Sequence, residues 1–271
     1  MKIKKTLGFT LIETIIVVAI TGVIAATVSL FIVAPIRSYN DTTTRAELAD
    51  EAYLVVKKLK QDVKRSLPNS LRTSTVGNKI FIEMMTISNG GKYRGQNNST
   101  NSGDILDFTL GDTSFDLLSS PLTFKGGEKI VIANVGSVNY DSYAGNNLAT
   151  YNGVLNSPVS NISVNAKKFP LESISENFYV VDQVVSYVCD KGSKTMTKYW
   201  GYTISSSQPT DTLANPLLSG SSALVAKNLK DCSFIYDQGG NSRNGILTIM
   251  IKLENSGQEA TLYGESYVPN T

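Results

Sequence analysis

Apolar residues dominate the chain between Phe9 and Ile36. Residues 14–36 include no charged side chain over twenty-three positions. About twenty mainly apolar residues are enough to cross the hydrocarbon core of a bilayer as a helix. Glu13 is the only charged residue in the stretch 6–36. The pattern therefore predicts a membrane-spanning helix with one carboxylate near its start.

After Pro35 the sequence becomes polar but keeps an apolar stripe at steps of three and four residues, the spacing of one helix face. Its members are Leu48, Ala52, Val55, Val56, Leu59, Val63 and Leu67. We interpret the stripe as the face of a helix that packs on a core. Pro68 should end this helix, because the residue before a proline is driven away from helical angles. A helix over residues 9–66 would be about 87 Å long, and Pro35 is expected to kink it or mark a joint.

Beyond Pro68 the pattern changes to short alternating segments separated by turn residues, which is typical of β-strands. The clearest alternation covers residues 245–253. Further strands are predicted at 79–87, 105–110, 129–133, 178–188, 198–204, 232–236 and 261–268. Two long polar stretches, 89–103 and 137–167, are expected to be surface loops.

These elements predict an α+β chain. A long N-terminal α-helix, transmembrane in its first half and amphipathic in its second, is followed by a β-rich globular head. Because 271 residues could form two domains, a split of the head near Ala166 is an alternative. Residues 68–271 fit one large β domain equally well.

Composition narrows the classes of function. The net charge of +2 gives no basic field for nucleic acid. The chain contains no histidine, the commonest general base and metal ligand, so histidine-dependent triads and histidine-ligated zinc are excluded. No nucleophile elbow, phosphate-binding glycine loop or metal-binding cysteine spacing is present. We therefore predict that the protein is not an enzyme and uses no metal or cofactor.

Two clusters in the head are candidate ligand sites. Four aspartates in a short segment could supply oxygen ligands to calcium: Asp104, Asp107, Asp112 and Asp116. Their spacing is not that of a calcium loop. We therefore prefer to interpret them as solvated residues at strand ends. Three tyrosines among asparagines and glycines could form a rim that binds sugar or protein: Tyr140, Tyr143 and Tyr151.

The two cysteines, Cys189 and Cys232, lie forty-three positions apart, after the predicted membrane span. In an oxidising compartment they should form a disulfide, which would contribute roughly 3 to 4.7 kcal/mol on the chain-entropy account. The alternative is a pair of buried thiols in a cytosolic fold.

The residues around the first carboxylate form the motif Gly8-Phe9-Thr10-Leu11-Ile12-Glu13, and three basic residues precede it: Lys2, Lys4 and Lys5. This segment resembles the processing site of type IV pilins and pseudopilins. The resemblance implies that a prepilin peptidase/N-methyltransferase cuts after Gly8 and methylates the new N-terminal Phe9. It divides the chain into a leader (1–8), a transmembrane and assembly helix (9–66) and a head (67–271). The mature chain would have 263 residues.

Glu13 needs a partner if it lies at depth, since an acidic side chain there costs on the order of 2.5 to 3.5 kcal/mol on insertion scales. Cleavage would create an ammonium at Phe9, and an opposite charge within about 4 to 6 Å stabilises a carboxylate. The resemblance implies that this contact docks an incoming subunit. The alternative is that Glu13 lies close enough to the interface to reach water. A secretory signal peptide is disfavoured, because its apolar region is only about 7 to 15 residues long and precedes the cleavage site.

Four blocks of the head resemble the J-type and W-type minor pseudopilins and the minor pilins of mannose-sensitive haemagglutinin (MSHA) pilus biogenesis: residues 65–72, 184–189, 232–236 and 243–253. The resemblance implies a minor pilin that primes assembly or occupies the tip of a type IV pilus. Alternatives are a tip subunit of a type II secretion pseudopilus and a tip adhesin for a surface or glycan.

The same resemblance implies partners and a location. The partners are the prepilin peptidase, other minor and major pilins, the assembly platform of the inner membrane and, before extraction, the lipid bilayer. The chain would cross the inner membrane once with its head in the periplasm, and would then enter a fibre outside the cell.

Overall fold

The structure, a computed structural model, describes residues 8–97, 102–239 and 244–268. The basic leader residues Lys2, Lys4 and Lys5 lie outside the described residues. One long helix, α1 (Leu11–Lys64), precedes the strands. These are β1 (Arg72–Val76), β2 (Lys79–Lys92), β3 (Asp112–Asp116), β4 (Leu122–Thr123), β5 (Lys129–Ile132), β6 (Leu148–Thr150), β7 (Pro158–Val159), β8 (Asn161–Lys167), β9 (Asn177–Asp190), β10 (Thr195–Trp200), β11 (Ser221–Ala226), β12 (Leu229–Asp237), β13 (Gly245–Asn255) and β14 (Gln258–Val268), with a 3₁₀ turn at Leu217–Ser219.

Helix α1 has 54 residues and is about 81 Å long at roughly 1.5 Å per residue. The predicted stripe is confirmed, because its helical members from Leu48 to Val63 are buried and Leu67 is buried just beyond the helix. The helix ends before Pro68, and Ser66 already bridges to Thr86 of the sheet. It continues through Pro35 without interruption, so the kink expected there stays a prediction.

Two antiparallel sheets form the framework of the head. The larger has the order β1-β2-β9-β10-β11, with β5 added to the far part of β9 and β6 added to β5. The smaller has the order β12-β13-β14. The buried stripe of α1 and the inner residues of both sheets share one hydrophobic core. A Cβ on Gly264 would lie 2.5 Å from Cγ1 of Val56, so glycine at this position lets the helix approach β14 closely.

Cys189 and Cys232 form a disulfide with their Cα atoms 6.7 Å apart, as the sequence predicts. Cys189 lies in β9 and Cys232 in β12, and both are buried in the core beneath α1. The bond therefore joins the larger sheet to the smaller one.

Replacing both cysteines by alanine should destabilise the head by roughly 3 to 4.7 kcal/mol, because the unfolded chain loses a long covalent loop. Thermal unfolding of the detergent-solubilised full chain, with and without a reductant, measures the loss. Reductant should lower the midpoint of the parent and leave the midpoint of the double variant unchanged. Equal midpoints for the oxidised parent and the variant would contradict the prediction.

The segment between β2 and β9 forms a distal lobe, defined here as residues 93–176. Its core is a second cluster of buried residues in which Phe115 packs edge-on against Phe178, with ring centroids 5.6 Å apart. Arg65, just after α1, hydrogen-bonds the carbonyl of Ile87, whereas β2 and β9 continue to the pair Lys92 and Asn177. Most of the lobe therefore lies beyond the C-terminal end of α1, whereas Tyr143 reaches back to Arg72 of β1.

Three local expectations in or next to this lobe are wrong. The predicted loop 137–167 contains β6, β7 and β8. Next to the lobe, β2 extends into the predicted loop 89–103 as far as Lys92, and residues 98–101 of that loop lie outside the described residues. The predicted strand 105–110 is irregular. There the carboxylate of Asp107 accepts hydrogen bonds from the backbone N–H and hydroxyl of Thr109, both at 2.6 Å, and such a local bond bends the chain into a turn.

The predicted α+β class, a long apolar helix followed by a β-rich head, is confirmed. Strand β9 follows Ala166 in sequence but pairs with β2 and β5, which precede it. The larger sheet is therefore continuous across the split considered near Ala166.

Candidate functional site

The start of α1 is held by a reciprocal pair of hydrogen bonds. Thr10 has extended backbone angles, and its hydroxyl accepts the N–H of Glu13 at 3.3 Å. The Glu13 carboxylate in turn accepts the N–H of Thr10 at 3.4 Å. This capping box satisfies two backbone donors that the helix itself leaves without partners. It places the carboxylate in the first turn, where the helix dipole favours negative charge.

Glu13 is thus an acidic group in the first turn of a long apolar helix. The first part of the helix is long and apolar enough to cross a membrane, and none of this part is buried. Three threonine side chains in this part hydrogen-bond to the backbone of the helix itself. The hydroxyls of Thr14, Thr21 and Thr27 each donate to the carbonyl four residues earlier, which removes an unpaired donor from an apolar surface.

The predicted processing residues precede the helix. Phe9 is exposed, and a Cβ placed on Gly8 would meet no atom within 4 Å. Gly8 itself is also exposed. The sequence interpretation missed the role of Thr10, although the signal is present: threonine followed three residues later by glutamate, ahead of an apolar run, is the sequence pattern of a capping box.

The four aspartates of the distal lobe use their oxygens on the protein itself. The side chain of Asn161 donates to both Asp104 and Asp116, at 2.8 and 3.1 Å. These bonds, with the N–H of Asp104 and the side chain of Arg94, hold the pKa of Asp116 below its ordinary value. Over the described ranges, no group of three or more acidic or cysteine side chains is arranged to hold a metal ion. Asp112 and Asp116 form the two ends of β3.

The tyrosine rim does not form. Tyr143 and Tyr151 are buried, each about 6% exposed. Tyr151 stacks on Phe124 with ring centroids 3.9 Å apart, and the hydroxyl of Tyr143 donates to the carbonyl of Ser70 at 2.9 Å. Tyr140 is partly exposed. The hypothesis of a binding rim made from all three rings is wrong, because the segment that carries Tyr143 and Tyr151 folds into the core of the lobe and sheet.

A buried ion pair lies in the larger sheet. Nε of Arg72 donates to Oε2 of Glu83 at 2.5 Å, and the hydroxyl of Tyr202 donates to Oε1 at 2.7 Å. The Glu83 side chain has no exposed surface, and burial raises the pKa of its carboxyl above the ordinary value of 4.5 in spite of the guanidinium beside it. The Arg72 guanidinium also lies 3.6 Å from the ring centre of Tyr143 and donates to the carbonyls of Ser205 and Ser206. The pair therefore connects β1, β2 and the segment after β10.

Comparison with known proteins gives one family match. Residues 3–29 match the family described as the prokaryotic N-terminal methylation motif. The match supports a type IV pilin-like or pseudopilin chain. It covers the motif around Gly8, the capping box and most of the apolar run. No curated protein and no solved structure matches the chain.

The methylation motif and the single apolar helix fit single-pass anchoring in the inner membrane. The motif also implies processing by a prepilin peptidase and assembly with other pilins. Chains of this kind are structural subunits, which agrees with the prediction that the protein is not an enzyme.

Proposed function

We propose that this chain is a minor pilin or pseudopilin. It is cut after Gly8, methylated at Phe9 and extracted from the inner membrane into a fibre, where it primes assembly or occupies the tip. One observation carries the proposal. Glu13, the carboxylate of the capping box, lies in the first turn of an exposed apolar helix that bears the methylation motif.

The proposed docking chemistry follows from the position of Glu13. Cleavage after Gly8 would leave an ammonium on Phe9, four residues before the carboxylate. In a fibre this ammonium, or that of the neighbouring subunit, neutralises a charge that would otherwise be costly among apolar side chains. The helix start fixes the carboxylate in place through Thr10.

The size and shape of the head favour a minor role. Most of the distal lobe lies beyond the end of α1 with its own core, which adds bulk to the side of the head that faces away from the membrane. Within this role, the resemblance of four head blocks to the MshO protein of MSHA pilus biogenesis leads us to propose an MSHA-like type IV pilus. A tip subunit of a type II secretion pseudopilus is the alternative with the same N-terminal module. The adhesin hypothesis loses its main support, since Tyr143 and Tyr151 are buried.

The intact mass of the chain extracted from membranes tests the processing step. We expect the mass of residues 9–271 with one added methyl group. A Gly8→Val variant should retain residues 1–8, because a branched side chain blocks the peptidase from the scissile bond.

Gly22→Val is the matched control, since neither Gly8 nor Gly22 has an atom within 4 Å of an added Cβ. The control should be processed normally. The proposal would be contradicted if the parent protein kept Met1, or if the Gly8→Val variant were processed normally.

A further inference from the structure

Strand β11 forms an open edge of the larger sheet. It pairs with β10 on one side through contacts such as Lys198 with Ala223, and it is the last strand in the sheet order. Among the hydrogen bonds of the described residues, none joins its outer edge to another segment. In an antiparallel pair alternate residues direct N–H and C=O away from the partner, so this edge presents free backbone groups to solvent.

Residues 221–224 of this edge carry neither of the two commonest protections of sheet edges, charge and proline, and a register irregularity follows them at Val225. The sequence of β11 is Ser-Ser-Ala-Leu-Val-Ala, with no charge and no proline, whereas charged side chains and proline are the common protection of exposed edges. Three other outer strands do carry charges: Arg72 in β1, Lys230, Asp231 and Asp237 in β12, and Glu259 and Glu265 in β14. The β11 edge is therefore suited to accept an additional strand.

A groove runs between this edge and α1. It has a volume of about 360 Å³ and is lined by Lys58 and Gln61 from the helix and by Trp200 and Leu224 from the sheet. Leu224 is half exposed, and so is Leu54, one turn before Lys58 on the same helix face. Lys58 at the groove and Lys227 at the end of β11 are exposed cations. The groove lining also includes the carboxylate of Asp62, which is paired with Lys198. The chemistry fits an extended peptide with apolar residues facing the groove and acidic residues at its ends.

The direction of β11 excludes a two-fold antiparallel pairing of two copies. Lys198, which pairs with Ala223, contacts Asp62, and the N–H of Lys227 donates to Glu51 at 2.7 Å. Strand β11 thus runs from the level of residue 62 toward that of residue 51, antiparallel to α1. A two-fold antiparallel pair of β11 strands would point the two α1 helices in opposite directions, but both must leave toward the same membrane.

We infer that the β11 edge accepts an extended strand from a different pilin-like subunit of the fibre. The added strand extends the larger sheet beside α1 and places the neighbouring head against Leu54 and Leu224. This inference rests on the proposed assembly into a fibre. It adds a lateral contact between heads to the docking of helices through Glu13.

A photo-crosslinking benzophenone residue in place of Ala223, in the full chain and in cells that assemble fibres, tests the contact. We expect an adduct in the sheared fibre fraction, mapped by peptide mass spectrometry to an extended segment of another chain with its own methylation motif. An adduct with a second copy of this chain, an adduct with a protein that lacks the motif, or no adduct in fibres would each overturn the inference.

Ala223→Lys provides a second test, because a charge on the edge opposes strand addition. It should lower incorporation into fibres roughly tenfold or more, equivalent to about 1.4 kcal/mol. Thr261→Lys is the matched control, an exposed position on the already charged strand β14, and should incorporate normally. Each new lysine lies opposite an existing one, Lys198 for position 223 and Lys252 for position 261, so both variants should show a similar small decrease in unfolding midpoint. Normal incorporation of the folded Ala223→Lys chain would overturn the inference.

Intact mass on the same samples separates the two proposals. If the chain is processed to Phe9 but no strand contact is found, only the β11 inference fails. If the chain is not processed, the proposed function itself fails.

Discussion

Glu13→Ala is expected to leave membrane insertion intact and to reduce incorporation into fibres by roughly a hundredfold or more. Removing one member of an ion pair in a low-dielectric environment costs about 3 to 5 kcal/mol, and about 2.8 kcal/mol corresponds to a hundredfold change in an equilibrium. In the variant, the Phe9 ammonium created by cleavage has no carboxylate to meet. Quantitative blotting of the sheared fibre and membrane fractions measures the effect.

Two further variants separate the charge from the hydrogen bonds of the helix start. Glu13→Gln keeps an acceptor for the N–H of Thr10, because glutamine also completes a capping box, but it removes the charge. It should fail like alanine if the ion pair matters. Glu47→Ala removes an exposed carboxylate from the same helix outside the apolar segment and should incorporate normally. Normal incorporation of Glu13→Ala would show that this chain uses its carboxylate in another way.

Arg72→Met is expected to cost about 3 to 5 kcal/mol of folding free energy at neutral pH, because it leaves the buried Glu83 carboxylate without its counter-charge. The change also removes two hydrogen bonds to the carbonyls of Ser205 and Ser206. The double variant Arg72→Met/Glu83→Gln should recover much of the loss, since no buried charge remains. Denaturant unfolding of the full chain in detergent measures both values.

The loss of folding free energy in Arg72→Met should increase as the pH rises. Burial raises the pKa of Glu83 in the folded state above 4.5, and without the guanidinium the pKa should rise further. The unfolded chain then releases this proton at a lower pH than the folded chain, so stability falls as the pH rises from about 4.5 through the folded pKa. The single variant should therefore approach the parent at pH 4.5 and differ most at pH 8. A loss that is equal at both values would show that the carboxylate is not the cause.

Patterns of residues close together in sequence were enough to predict α1 and β13. The apolar run before Ile36 and the stripe from Leu48 to Val63 gave α1, since helix length and face follow from residue spacing alone. The strict alternation of residues 245–253 gave β13, because a strand with one buried face must alternate. The disulfide between Cys189 and Cys232 could be predicted because the sequence contains only these two cysteines.

Such local patterns did not predict most of the distal lobe. Its strands are short, and their pairings join distant positions, as when Phe115 of β3 pairs with Ile162 of β8. A polar stretch that contains Tyr151 and Ile162 resembles a loop when each residue is judged by its neighbours in sequence. It becomes core only when a partner segment from elsewhere covers it.

The sequence by itself determined the class of this protein and its proposed chemistry. Gly8, Phe9 and Glu13 lie within six consecutive positions, and both the peptidase motif and the capping box depend on spacing over a few residues. Tertiary structure alone decided which surfaces are available. It buried Tyr143 and Tyr151, enclosed Glu83 and left the edge of β11 open. Exposure depends on which distant segments meet, and the spacing of residues along the chain does not specify those contacts.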